Sequence, residues 1–149
     1  MVRETRAYRC HAISEDIGSI TLDTVLVEDP GPGEVQINVK ACSVNFPDLL
    51  MIQGKYQFKP PLPFAPGGEA SGDVVVVGSE VSGVEVGDRV VFGSRHGCFA
   101  ETLNVSADAI NAIPGSMTYA KAASYGTAYQ TAYVALAHRG NLQPDEWLM

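Results

Sequence analysis

Four prolines fall within the ten residues from Lys59 to Gly68: Pro60, Pro61, Pro63 and Pro66. Each holds φ near about −65° and donates no backbone hydrogen bond, so the stretch is neither helix nor central strand. It must run as a rigid, extended loop. Asp29-Pro30-Gly31-Pro32-Gly33 makes a second break, with fixed φ at each proline and permissive φ at each glycine. Only short segments remain around these breaks, and they read as strands. Val35, Ile37, Val39 and Ala41 alternate with Gln36, Asn38, Lys40 and Cys42, which gives one buried and one polar face. Ala7 to Ile13, Ile20 to Val27, Ser71 to Val77, Val90 to Gly93, Phe99 to Val105 and Ala109 to Ile113 complete the strand set. Pro47 to Gln53 reads as a short helix that stops at Gly54.

After Met117 the character changes. Thr118 to Arg139 is rich in alanine and free of proline, with Thr118 placed as an N-cap and Gly140 as a stop. Gly126 costs about 1 kcal/mol in a helix interior, so two helices are expected to meet near Gly126-Thr127. Tyr125, Tyr129 and Tyr133 recur every four residues, a helix stripe read as packing. Glu146-Trp147-Leu148-Met149, after the turn at Gln143-Pro144-Asp145, reads as the opening of a buried strand.

Composition narrows the functional classes. Hydrophobic residues make up 46% of the 149 and charged residues 18%, enough to bury a core. The net charge is −7, with basic residues grouped only at Arg3, Arg6 and Arg9, which argues against a nucleic-acid or anionic-membrane surface. No apolar run approaches the roughly 20 residues needed to span a bilayer. Cys10, Cys42 and Cys98 are too few and too scattered for a disulfide framework and read as small buried hydrophobes. No basic, apolar, small-residue leader opens the chain, so the expectation is a cytoplasmic protein with reduced thiols.

Motif chemistry is sparse. His11, His96 and His138 lack metal-ligand spacing, and Arg95-His96 beside Gly97 reads as a solvated loop. There is no Gly-x-Ser-x-Gly and no Gly-x-Gly-x-x-Gly. What remains is an ordered series: Asn45-Phe46-x-Asp48, Gly54-x-Tyr56, then Leu62-Pro63-Phe64-x-Pro66-Gly67-x-Glu69-x-x-Gly72-x-Val74. It continues through Val77-Gly78-x-x-Val81, Gly87-Asp88-Arg89-Val90, Phe99-Ala100-Glu101 and Thr131. In this order and spacing the series resembles the N-terminal catalytic domain of medium-chain dehydrogenase/reductases, in the zinc-independent quinone oxidoreductase branch. The resemblance covers nearly the whole chain.

That resemblance implies a β-rich α+β fold: a GroES-like, partly open β-barrel over residues 1–125. Residues 126–149 would be a linking helix and the start of the first strand of a Rossmann domain that is absent here. The implied activity is hydride transfer from NADPH to a quinone or enone, with the cofactor bound mainly by the missing domain. The isolated chain is therefore expected to be inactive, with an exposed apolar patch along the helix 127–139 and at Trp147. Any homodimer is expected of the full-length protein, through its Rossmann sheet.

The resemblance also implies site residues. Asn45, Phe46 and Thr131 would contact the nicotinamide, with Asn45 also catalytic. Tyr56 would donate a hydrogen bond, or a proton, to the acceptor oxygen. Asp48 would organise the substrate loop. Residue by residue these have plainer readings: Asn45 as a helix N-cap, Asp48 as a first-turn stabiliser, Tyr56 as a packed loop aromatic, Thr131 as a back-bonded helix threonine. Zinc-dependent relatives carry a cysteine at the position of Asn45 and a histidine at that of Gly68, so no zinc is expected. Glu69 then reads as structural, accepting hydrogen bonds or pairing with Arg89 or Arg95. Two other activities fit the same residues: reduction of a 2-alkenal or enoyl thioester, and a non-catalytic GroES-like binding module.

Overall fold

The computed structural model describes residues 2–148. Two sheets carry the fold. Strands β1 (Arg3–Cys10) and β2 (Ile20–Val27) form an antiparallel pair. The second sheet has five antiparallel strands: β3 (Glu34–Cys42), β4 (Glu69–Val77), β5 (Arg89–Gly93), β6 (Thr102–Ser106) and β7 (Ile110–Ala112). Their order is β6-β3-β4-β5-β7. The alternation read in β3 holds only in part: Val35 and Ile37 are fully buried, but so is Gln36 of the polar face, which donates to the Glu28 carbonyl and to Asn104. Val35 and Ile37 sit in a core with Val74, Val90, Phe92 and Cys98.

The expected barrel does not close among the described residues. The two sheets meet through isolated bridges, Ala7 to Ala100 and Cys10 to Phe64. Residues 99–101 hold the seam together: Tyr8 N–H donates to the Phe99 carbonyl, and Val39 N–H to the Glu101 carbonyl, both at 2.8 Å. This seam is why the segment expected as a strand from Phe99 begins its ladder only at Thr102. Likewise β1 runs earlier than expected, because β2 pairs it from Arg3 to Cys10 and offers nothing beyond.

Gly72 shows how tightly the central strands approach. A Cβ there would stand 2.2 Å from the Asn38 carbonyl oxygen, so only glycine fits.

The short helix α1 (Phe46–Ile52) follows β3. After β7 come α2 (Tyr119–Ala123) and α3 (Gly126–Tyr133), which runs into a π-helical turn at Val134–Arg139. Thr118 caps α2 by accepting the Lys121 N–H. Ala122 and Ala123 bury α2 on the sheet, and Ser71 Oγ donates to the Tyr119 carbonyl at 2.7 Å. No residue of α3 or of the turn after it is buried. Tyr125 stacks on Tyr129 with centroids 5.3 Å apart, but the tyrosine stripe read as packing stays exposed among the described residues. The strand expected at Glu146 does not form in residues 146–148, where Trp147 is 94% exposed; Met149 lies outside the described residues. A strand needs a neighbour to pair with, and none is there. Among the described residues no helix is long and apolar enough to cross a membrane.

Candidate functional site

Two buried carboxyls organise the site. Asp48, in the first turn of α1, is 2% exposed. Its Oδ2 accepts the Asn45 N–H at 2.8 Å and closes the capping box. Its Oδ1 accepts the Gly67 N–H at 3.1 Å, tying α1 to the end of the proline loop. Burial pushes this carboxyl up from its ordinary value, against the lowering effect of the two N–H bonds.

Glu69 opens β4 and is 4% exposed. Its Oε1 accepts from Ser43 Oγ and, at 3.0 Å, from Asn45 Nδ2. Its Oε2 accepts the Thr127 N–H at 2.7 Å. Burial opposes the charged form, but these hydrogen bonds together outweigh it and hold the carboxyl below its ordinary value. Gly126 is explained by the same contact: a Cβ there would lie 2.6 Å from Glu69 Oε2. The glycine thus leaves room for the Glu69 carboxylate at the start of α3. Neither arginine expected to pair with Glu69 does so. Arg89 donates to the carbonyls of Gly115 and Met117 and lies over the Tyr119 ring, while Arg95 lies over Phe58.

Asn45, Asp48, Tyr56 and Thr127 line one open cleft of about 650 Å³. A second hollow of about 290 Å³ adjoins it, sharing Gly68 and Thr127 and lined further by Gln130 and Thr131. The structure therefore brings Asn45, Asp48 and Tyr56 together, with Thr131 one compartment away. Phe46 stands apart: its neighbours Asn45 and Pro47 line the cleft, but its own ring does not and is 70% exposed. Asn45 is a fixed amide, since its Nδ2 also donates to Ser43 Oγ at 2.9 Å. Tyr56 packs against the cluster of Cys10, Met51, Ile52 and Phe64 and lines the cleft. The Thr131 side chain lines that second hollow.

Ser43, Thr127 and Phe58 join the site without having stood out in the sequence. Ser43 and Phe58 carry no motif, and the one sign of Thr127 is its four-residue spacing from Thr131, which puts both on one helix face. Arg95, read as solvated loop, lines the cleft. Of the cysteines, Cys10 and Cys98 are buried as expected, and burial pushes the Cys98 thiol up to about 12. Cys42 differs: the end of β3 leaves it exposed, beside an apolar hollow lined by Tyr8 and Val44.

With this geometry in view, comparison with known proteins assigns the family. Residues 31–139 match the alcohol dehydrogenase GroES-like domain. The chain belongs to that family, within the medium-chain dehydrogenase/reductase superfamily. It is 39% identical over 145 residues to a quinone oxidoreductase-like protein 2 homolog of Nematostella vectensis, covering 97% of this chain and 39% of that protein. Its fold matches the human synaptic vesicle membrane protein VAT-1 homolog-like protein with a TM-score of 0.88 at 34% identity, over 94% of this chain and 44% of that one. It also matches Escherichia coli quinone oxidoreductase complexed with NADPH, with a TM-score of 0.77 at 31% identity, over 91% of this chain and 40% of that one. The chain thus corresponds to the GroES-like portion and spans less than half the length of these relatives.

Proposed function

We infer that this chain is the acceptor-binding part of an NADPH-dependent quinone or enone reductase that works without zinc. The observation that carries the reading is the pair of hollows joined at Gly68 and Thr127, in a chain akin to an enzyme that binds NADPH.

The residues present fit a nicotinamide. Such a ring needs a low backbone wall and hydrogen-bonding groups along one edge. Gly68 supplies the first, since it brings no side chain to the junction it shares with Thr127. Thr131 and Gln130 supply the second, with side chains that make no hydrogen bond to the described residues. Zinc does not fit. Asn45 spends its Nδ2 on Ser43 and Glu69, and Glu69 is already held by protein donors. Among the described residues no three His, Cys, Asp or Glu side chains come together. A quinone or enone is already electrophilic and needs less polarisation than a Lewis acid would supply.

When bound, NADPH supplies the hydride. The chain's own residues receive the acceptor. Met51 and the rings of Tyr56 and Phe58 give it apolar walls. The Tyr56 phenol donates a hydrogen bond to its oxygen and, with water, is the source of the proton. Asn45 is held still by Glu69, so the wall it forms does not reorganise when the acceptor enters. The unburied face of α3 is where the nucleotide-binding remainder of such a reductase packs.

Phenanthrenequinone titrated into isotope-labelled chain is expected to shift the NMR signals of Asn45, Tyr56 and Thr127 and to spare those of β7. Shifts spread over other surfaces, or none, would overturn the reading. NADPH oxidation by the 149-residue chain alone is expected to stay near background. Turnover matching a complete reductase would show that the chain needs no further domain.

A further inference from the structure

The cleft carries a cation with no salt-bridge partner among the described residues. Arg95 sits in its wall, with its guanidinium 5.5 Å from the centre of the Phe58 ring. The acidic side chain in the same wall is Asp48, and both of its oxygens already accept backbone N–H groups. In a chain of net charge −7 this local positive charge runs against the overall balance.

The backbone around Arg95 is pinned. Ser94 N–H donates to the Gly68 carbonyl at 2.9 Å and Gly97 N–H to the Pro66 carbonyl at 3.2 Å. Ser94 Oγ donates to the His96 carbonyl at 2.6 Å, and the His96 ring stacks on Phe58 with centroids 5.8 Å apart. The guanidinium is thus presented from a fixed loop, within cation–π distance of the Phe58 ring, at the same cleft as Tyr56. Arginine in this setting keeps its donors for an oxyanion while the ring beside it favours the cation.

We propose that Arg95 selects acceptors bearing a carboxylate or sulfonate on the quinone or enone skeleton. The anionic group pairs with the guanidinium while the apolar skeleton lies along Phe58 and Tyr56. This rests on the reading of the cleft as the acceptor site. At an exposed pair the preference over a neutral analogue is about fivefold at low salt.

The test is a calorimetric titration of the chain, without NADPH, with anthraquinone sulfonate and with its neutral hydroxymethyl analogue. The sulfonate is expected to bind about fivefold tighter, and the preference should shrink as salt is added. Arg95→Gln is expected to erase the preference by weakening the sulfonate alone, and Arg95→Lys to restore part of it. Equal binding of both compounds to the unaltered chain, or a preference that survives Arg95→Gln, overturns the proposal and leaves the acceptor reading standing. Binding of neither compound overturns both.

Discussion

The five-stranded sheet and the helical segment after Gly126 draw on similar apolar residues and meet opposite fates. In the sheet, Val35, Ile37, Val74, Val90 and Phe92 are closed off from water by strands on either side. In α3 and the turn that follows, alanines and tyrosines recur beside Val134 and Leu136, yet none is buried. The sheet is stabilised by its own contacts. The helix is anchored at one end, through Thr127 N–H on Glu69 and the glycine that admits it. Apolar content therefore says how much a segment has to bury, while the neighbours supplied by the fold decide whether it does.

The largest effect that would sharpen this contrast is expected at Gly72. Gly72→Ala places a methyl 2.2 Å from a backbone oxygen, and a loss above about 4 kcal/mol should leave no folded transition by circular dichroism. A normal melt would show that β3 and β4 yield more easily than their spacing indicates. Next, Phe92→Ala in the sheet is expected to cost about 3–5 kcal/mol in urea unfolding, whereas Val134→Ala in the helical turn should stay within about 0.5 kcal/mol. Comparable losses at the two sites would break the comparison.

Glu69→Gln tests the tether between the two regions. The loss of charge-assisted hydrogen bonds is expected to cost about 1.5–3 kcal/mol and to speed amide exchange in α3 more than in β4. The pH dependence follows from the two carboxyls. Glu69 is held below its ordinary value of 4.5, so its contribution is present above that value and is lost as pH falls through its lowered folded value. Asp48 is raised above 3.8, so over the window between that value and its folded one it favours the fold as pH falls. Urea midpoints measured down the acid range should thus fall less steeply in Glu69→Gln than in the parent. A parallel slope would show that Glu69 is not the titrating tether. The smallest effect is expected at Arg6→Ala on the exposed seam, with a midpoint indistinguishable from the parent, because the Arg6–Glu101 pair is open to solvent.

Much of the fold was legible because its signals are local. Prolines 60 to 66 forbid regular structure by geometry, the alternation from Val35 marks a half-buried strand, and Thr118 and Gly126 bracket helix ends. The site was legible in part: Asn45, Asp48 and Tyr56 do share a cleft. The ring of Phe46 stays outside the lining of that cleft, since proximity in sequence does not say which way the first turn of a helix sets a ring. Of the two readings of Glu69, acceptance of hydrogen bonds holds and pairing with Arg89 or Arg95 does not. A carboxylate with two arginines in the sequence suggests ion pairs, but the folded chain brings it Ser43, Asn45 and the N–H of Thr127, separated from it by up to 58 positions.

The residues alone thus determined the segments, their order and the kinship with GroES-like domains, since dihedral limits and hydrophobic period act within a few residues of one another. Only the tertiary structure decided which residues form the seam between the sheets, that Glu69 tethers α3, that Gly126 leaves room for its carboxylate, and that Arg95 stands in the cleft with no salt-bridge partner among the described residues. Those outcomes depend on which distant groups arrive within hydrogen-bonding distance, and that is set by the packing of whole elements.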